Sequence, residues 1–112
     1  MNAQDLYAIV SKVKRERWPM GMIWAPIATK FFIDEVDQAI PDDHAEMLFA
    51  SAFRQSLHRD GWVVESYWEH QDGWTAVKIS RASSGMELRS FCGKSEVAAL
   101  AAAVTAMDGG EE

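Results

Sequence analysis

Two Asp-Gly-Trp triplets, twelve residues apart, mark the β-rich middle of this chain and constrain its fold more than any other feature. Asp-Gly is a turn-forming pair, and each triplet leads into a run of β-branched and aromatic residues. A third such run follows the turn sequence Ala-Ser-Ser-Gly at 82–85. The pattern predicts an antiparallel three-stranded meander with strands at 62–69, 74–81 and 86–92.

Helices are predicted on both sides of this meander in the sequence. Residues 42–59 place their apolar side chains on one helical face, and Gly61 follows where a left-handed cap favours glycine. Asp43 and Glu46 have the spacing of a capping box. A final helix begins at Ser95 and runs through SEVAALAAAVTAM. The chain is therefore predicted to be of the α+β class, with an α-β-β-β-α core over 41–108 and a frayed tail at 109–112.

Residues 1–40 are predicted to form an N-terminal helical extension that packs on or beside the sheet. A helical stripe over 4–17 begins after Asn2, a possible N-cap, and ends at Trp18-Pro19. The WPMGMIWAP stretch reads as an apolar loop. Residues 27–40 are ambiguous: their apolar spacing favours a helix, but TKFFI would also suit a short strand.

Alternation along the predicted strands divides their side chains between two faces. With 70–73 as the hairpin loop, Trp68 lies opposite Thr75 and Glu65 opposite Lys78. The core face then contains Trp62, Val64, Trp68, Val77, Ile79, Met86, Leu88 and Cys92. The second face contains Val63, Tyr67, Trp74 and Phe91 among charged residues. Such aromatic residues need a cover, either the first forty residues, which we favour, or a partner.

The net charge of −6 is unevenly distributed. Residues 1–33 hold five Lys/Arg and two Asp/Glu, which gives +3, whereas residues 34–112 hold six and fifteen, which gives −9. An acidic body repels phosphate, so nucleic-acid binding is disfavoured. A single cysteine, Cys92, predicts a reducing cytoplasmic setting, and no apolar run is long enough to span a membrane.

Residues that could support catalysis or metal binding do not form a recognisable constellation. The Gly93-Lys94-Ser95 triplet lacks the upstream glycine of a phosphate loop, because Leu88 occupies that position. His44, His58 and His70 lack metal-ligand spacing. We therefore expect a protein that is not an enzyme and has no metal or cofactor.

The order helix, meander and Ala-rich helix resembles two families. Gly93-Lys94-Ser95 and Ala98–Ala103 are similar to the last helix of double-stranded-RNA-binding domains, although Glu96 and Val97 stand where that family has lysines. Gly61-Trp62, Gly73-Trp74 and the Ala-rich helix resemble phage ABA-sandwich domains, across about 65 residues. The phage resemblance implies a small accessory protein without established catalysis.

These observations lead to a hypothesis of a binding protein that occludes a host protein or complex, as an anti-CRISPR-like inhibitor would. Acidic side chains would replace phosphate in a basic channel, and aromatic side chains would add contact area. The candidate binding residues are Asp34, Glu35, Asp37, Asp42, Asp43, Tyr67 and Trp74. The alternatives are a nucleic-acid-binding module that uses Lys94 and the basic segment 12–17, and a self-associating structural protein that forms a homodimer.

Overall fold

A computed structural model describes residues 2–34, 38–69, 73–81 and 87–110, without the side chains of 65–69, 87, 109 and 110. The described residues form three α-helices and six strands. The strands make two antiparallel sheets, ordered β1-β2-β3 and β4-β5-β6. The helices are α1 (Ala3–Val10), α2 (Asp42–Arg59) and α3 (Glu96–Thr105), with a 3-10 turn at Arg15–Arg17 and a π-helical turn at Ala106–Gly110. The strands are β1 (Met22–Ala25), β2 (Lys30–Ile33), β3 (Gln38–Ile40), β4 (Trp62–Glu69), β5 (Thr75–Arg81) and β6 (Glu87–Gly93).

The predicted α+β fold and its β4-β5-β6 meander are confirmed, but half of the first hairpin has a different register. Val64 pairs with Ile79, as predicted, whereas Trp68 pairs with Ala76 rather than Thr75. The cause is a β-bulge between Val64 and Ser66, which inserts one residue into β4 and shifts every later pair by one.

The third strand of the meander presents the opposite faces from those predicted. Arg81 pairs with Glu87, so the connection is one residue longer than assumed and β6 runs Glu87–Gly93. Because strand side chains alternate, a shift of one residue exchanges the faces. Phe91 therefore packs against the core, whereas Leu88 is 54% exposed and Cys92 is also exposed. Met86 lies outside the described residues.

The two long helices have their predicted places, with one difference at a cap. Ser95 caps α3, since its Oγ accepts the Ala98 N–H at 3.3 Å, and Gly61 takes the predicted left-handed conformation with φ of 91°. The predicted capping box of α2 is wrong: Pro41 is the N-cap residue and makes no side-chain hydrogen bond. Asp42 and Asp43 lie inside the first turn, where their negative charges interact favourably with the positive end of the helix dipole.

The predicted helix over 27–40 is wrong, because Lys30–Ile33 and Gln38–Ile40 are strands. β1 lies within the predicted apolar loop and pairs with β2 through the turn at 26–29. The first helix is also shorter than predicted and ends at Val10, although Asn2 Oδ1 does accept the Asp5 N–H at 2.8 Å. Short apolar runs suit both structures, and packing of Phe31 into the core selects the strand.

The helices lie between the two sheets. β2 contacts α1 and α2, whereas β4 contacts α2, and β5 and β6 contact α3. Phe31 of β2 and Phe49 of α2 have ring centroids 5.0 Å apart at the centre of one continuous core. The first forty residues therefore cover the helices and not the outer face of the second sheet, contrary to prediction. On that face Val63 and Leu88 are exposed.

No helix in the described part of the chain is long and apolar enough to cross a membrane.

Candidate functional site

Arg17 joins three distant segments of the chain through its guanidinium group. Its Nε donates to both carboxylate oxygens of Asp108, at 2.9 and 3.1 Å, and its Nη2 donates to Asp108 and to Asp60 at 2.8 Å each. Its Nη1 donates to the buried hydroxyl of Ser56 on α2. The 3-10 turn is therefore fixed against the C-terminal end of α2 and against the turn that follows α3.

Arg17 carries its charge in a largely enclosed place, with 11% of its side chain exposed. Burial by itself lowers the pKa of the guanidinium, but the hydrogen bonds and negative charges of Asp108 and Asp60 outweigh burial and raise that pKa. Although Arg17 belongs to the basic segment 12–17, its donors are engaged inside the protein. It supports the neighbouring loop through these contacts.

A groove lies between residues 15–23 and the exposed side of α2, and we call it the methionine groove. Its volume is about 930 Å³. The Met20 side chain is 99% exposed at the turn before β1, and Ile23 of β1 is also exposed. The walls from α2 are formed by Ala52, Arg54, Gln55, His58 and Arg59. A fully exposed apolar side chain thus lies beside a wall that contains Arg54 and Arg59.

Charges around the methionine groove are mixed. Arg15 and Arg59 are exposed, and Arg54 forms an ion pair with Glu96 of α3. Among the described residues, Glu16 and Asp34 are the acidic side chains that line it. Met20 and Ile23 were missed as site residues, although their position on either side of Gly21 in an unusually apolar predicted loop was a usable signal.

A second groove, of about 570 Å³, shares Arg15 and Trp18 with the first, and we call it the lysine groove. Tyr7 and Trp24 stack in it with ring centroids 4.5 Å apart and planes inclined by 9°. The Arg15 guanidinium lies 4.4 Å from the centre of the buried Trp18 ring. Among the described residues its lining contains no acid and is completed by Ser11, Lys12, Val13, Lys14 and Pro26.

The predicted acidic binding residues that the structure describes have different local contacts. Asp34 is exposed and lines the methionine groove. Asp42 binds Lys30 Nζ at 3.0 Å. Asp43 is exposed in the first turn of α2 and accepts the His44 N–H at 2.9 Å. Glu35 and Asp37 lie outside the described residues.

The two tryptophans of the Asp-Gly-Trp triplets have different environments. Trp62 is buried beneath Arg81, whose guanidinium lies 4.6 Å from the ring centre. Trp74 is 43% exposed at the start of β5. Tyr67, its predicted companion, has a side chain outside the described part. Val63 and Leu88 both pair with Ser80, so the exposed face is apolar on each side of β5.

The Gly-Lys-Ser triplet has a packing role. A Cβ atom at Gly93 would lie 2.7 Å from Ala98 Cβ and 2.7 Å from the Ala99 nitrogen, so only glycine allows α3 to approach the end of β6. Over the described ranges, no group of three potential ligands is placed to hold a metal ion.

Comparisons with protein-family models, with curated proteins and with solved structures found no match to this chain.

Proposed function

We propose that this protein is a non-catalytic binding protein that acts by occupying a surface of a partner protein, with the methionine groove as its principal contact. The observation that carries the proposal is Met20, which is 99% exposed on a loop next to the Arg17 network. Solvent exposure of a large apolar side chain is unfavourable for an isolated protein, and burial against a partner recovers that free energy.

The surroundings of Met20 support contact with protein. Interfaces concentrate their binding energy in a few apolar and arginine side chains that lie in a partly enclosed place. Met20 and Ile23 provide the apolar part, and Arg15 and Arg59 lie beside them. Because Arg17 holds the turn before this loop, the backbone there is partly fixed before a partner binds.

The phage resemblance extends the proposal to a host complex as the target. Exposed carboxylates at Asp34 and Asp43 would then oppose cationic groups of that complex, in the manner of phosphate. Neutralising both residues, as D34N/D43N, should weaken capture of such a target at low salt more than at high salt. If D34N/D43N captures the target as well as the wild type does at both salt concentrations, these two carboxylates do not contribute to binding.

The proposal is tested by affinity capture from bacterial lysate, with and without nuclease, using M20E and I27E. Ile27 is also fully exposed but lies at the β1-β2 turn, outside both grooves, so I27E is a matched control. We expect a stoichiometric partner that survives nuclease, is retained by I27E and is lost by M20E. Equal retention by both variants would place the contact elsewhere.

Self-association is a second candidate, favoured by the exposed outer face of the second sheet. Val63, Trp74 and Leu88 are 40%, 43% and 54% exposed. A dimer that buries this face would be disrupted by L88K, which places a charge in its centre. Light scattering tests this directly: a strict monomer at high protein concentration rules the candidate out.

A further inference from the structure

We infer that the lysine groove binds a short acidic segment of a partner protein. The inference rests on the proposed function in one respect, namely that the partner is a protein. It concerns a different surface from the methionine groove, and it is tested with different variants.

Charge is the first observation. Lys12, Lys14 and Arg15 are exposed around this groove, and the described residues that line it include no carboxylate to neutralise them. The whole chain has a net charge of −6, so this is a local reversal of sign. Opposite charge on a partner would be attracted to this region, whereas the excess of acidic residues in 34–112 would repel it.

The short range of that attraction selects the length of the ligand. Charges are screened beyond roughly 8–10 Å at physiological salt, so a ligand confined to the groove experiences mainly the three cations. A long nucleic acid would extend onto a surface where residues 34–112 contribute −9. A short acidic segment of a protein avoids that repulsion, whereas an extended phosphate backbone does not.

The aromatic floor supplies a second type of contact. Tyr7 and Trp24 are half-buried and hold each other in a stacked pair, so their orientation is already fixed before a ligand arrives. Arg15 covers the Trp18 ring, and its charge is therefore held at the boundary between the two grooves. An apolar residue beside the acidic ones would pack on Trp24, and acidic side chains would reach Lys12 and Lys14.

The probe is a short fluorescein-labelled peptide of aspartate and glutamate with one tryptophan, titrated with the full chain at low ionic strength. Its counterpart with lysine at every acidic position and a labelled single-stranded DNA of equal charge are the comparisons. We expect the acidic peptide to bind most tightly, and K14E to weaken it about fivefold through loss of attraction and gain of repulsion.

K94E is the matched control, because Lys94 is exposed, lies outside both grooves and changes the net charge equally. We expect it to weaken the acidic peptide less than about twofold. In an NMR titration the Trp24 indole N–H should shift on binding, whereas that of the buried Trp62 should not.

Three results would overturn the inference: no binding of the acidic peptide at low salt, equal weakening by K14E and K94E, or tighter binding of the DNA with the same dependence on Lys14. The M20E variant should retain the peptide. Failure of the capture experiment with normal peptide binding would therefore reject the methionine-groove proposal alone.

Discussion

The Arg17 guanidinium binds the Asp108 carboxylate across 91 residues of sequence, and the same group reaches Asp60 and Ser56. This contact connects the turn before the Met20 loop to the turn after the last helix. It is the most concentrated set of polar contacts in the described structure, and its removal should affect stability and loop position together.

R17M should lower the free energy of unfolding by about 2 kcal/mol, because it leaves the partly buried Asp108 and the buried Ser56 without their donor. The loss stays small because Asp60 is 44% exposed and solvent screens its interaction with Arg17. Urea denaturation measures the change. K12M removes an exposed cation and should change stability by less than about 0.5 kcal/mol. Equal midpoints for the two variants would contradict a structural role for Arg17.

The effect of R17M should not depend on pH between neutral and mildly alkaline solution. The pKa of Arg17 is raised on folding, so the charge contributes fully below the unfolded-state pKa and is lost only as pH rises through the still higher folded-state pKa. Arginine titrates above about pH 12, outside this window. Urea midpoints of wild type and R17M should therefore keep a constant difference at pH 7 and pH 9. A difference that shrinks with pH would point to another titrating group.

G93A should destabilise the protein by about 1–3 kcal/mol, since the added methyl would overlap Ala98 and the backbone of α3, which cannot move aside alone. For a domain of this size that is a decrease in Tm on the order of 4–8 °C per kcal/mol. S90A, on the same strand but exposed, should leave the Tm unchanged. Thermal unfolding followed by circular dichroism compares them, and an unchanged Tm for G93A would show that α3 can shift.

F49A should lower the free energy of unfolding by about 3–5 kcal/mol, because Phe49 is fully buried. Its ring contacts Trp18, Phe31 and Phe53 where the helices meet the first sheet. M47A, two residues earlier on the exposed side of α2, should change stability by less than about 0.5 kcal/mol. Denaturant unfolding distinguishes the two. Similar values would mean that α2 does not bury the face described.

S95A should lower stability by about 1 kcal/mol through loss of the α3 N-cap, whereas D43A should have a smaller effect because Asp43 caps no helix. The capping box predicted from Asp43 and Glu46 would instead make the two losses similar. Stability measured by urea unfolding of both variants decides between the two N-cap assignments.

The sequence predicted the parts of the fold that depend on local chemistry. Turn glycines and helix periodicity located the meander and both long helices, and Ser95 was correctly identified as the N-cap of α3, whereas the N-cap of α2 was not. Strand pairing depended on single-residue insertions that the sequence pattern does not reveal. The bulge before Ser66 shifted the later pairs of β4 by one residue, and the extra residue before Glu87 exchanged the two faces of β6. The strand at Lys30–Ile33 was ambiguous because its conformation is set by the burial of Phe31 in tertiary structure.

The candidate site was less predictable than the fold. Composition identified the basic segment 12–17 but could not separate Arg17, which is engaged internally, from Lys12, Lys14 and Arg15. Arg17 differs from its neighbours through its contacts with Asp60 and Asp108, which are remote from it in sequence. The acidic residues were conspicuous in the sequence, yet of those that the structure describes, Asp34 lines the methionine groove whereas Asp42 and Asp43 line neither groove.

The ion pair between Arg17 and Asp108 can form only late in the synthesis of the chain. A ribosome releases residue 17 long before residue 108, so Arg17 leaves the exit tunnel without its principal acceptor. The segment around Met20 acquires its final support only after α3 has been translated and has docked. In a nascent chain the loop that carries Met20 therefore lacks the Arg17–Asp108 contact until residue 108 has been synthesised.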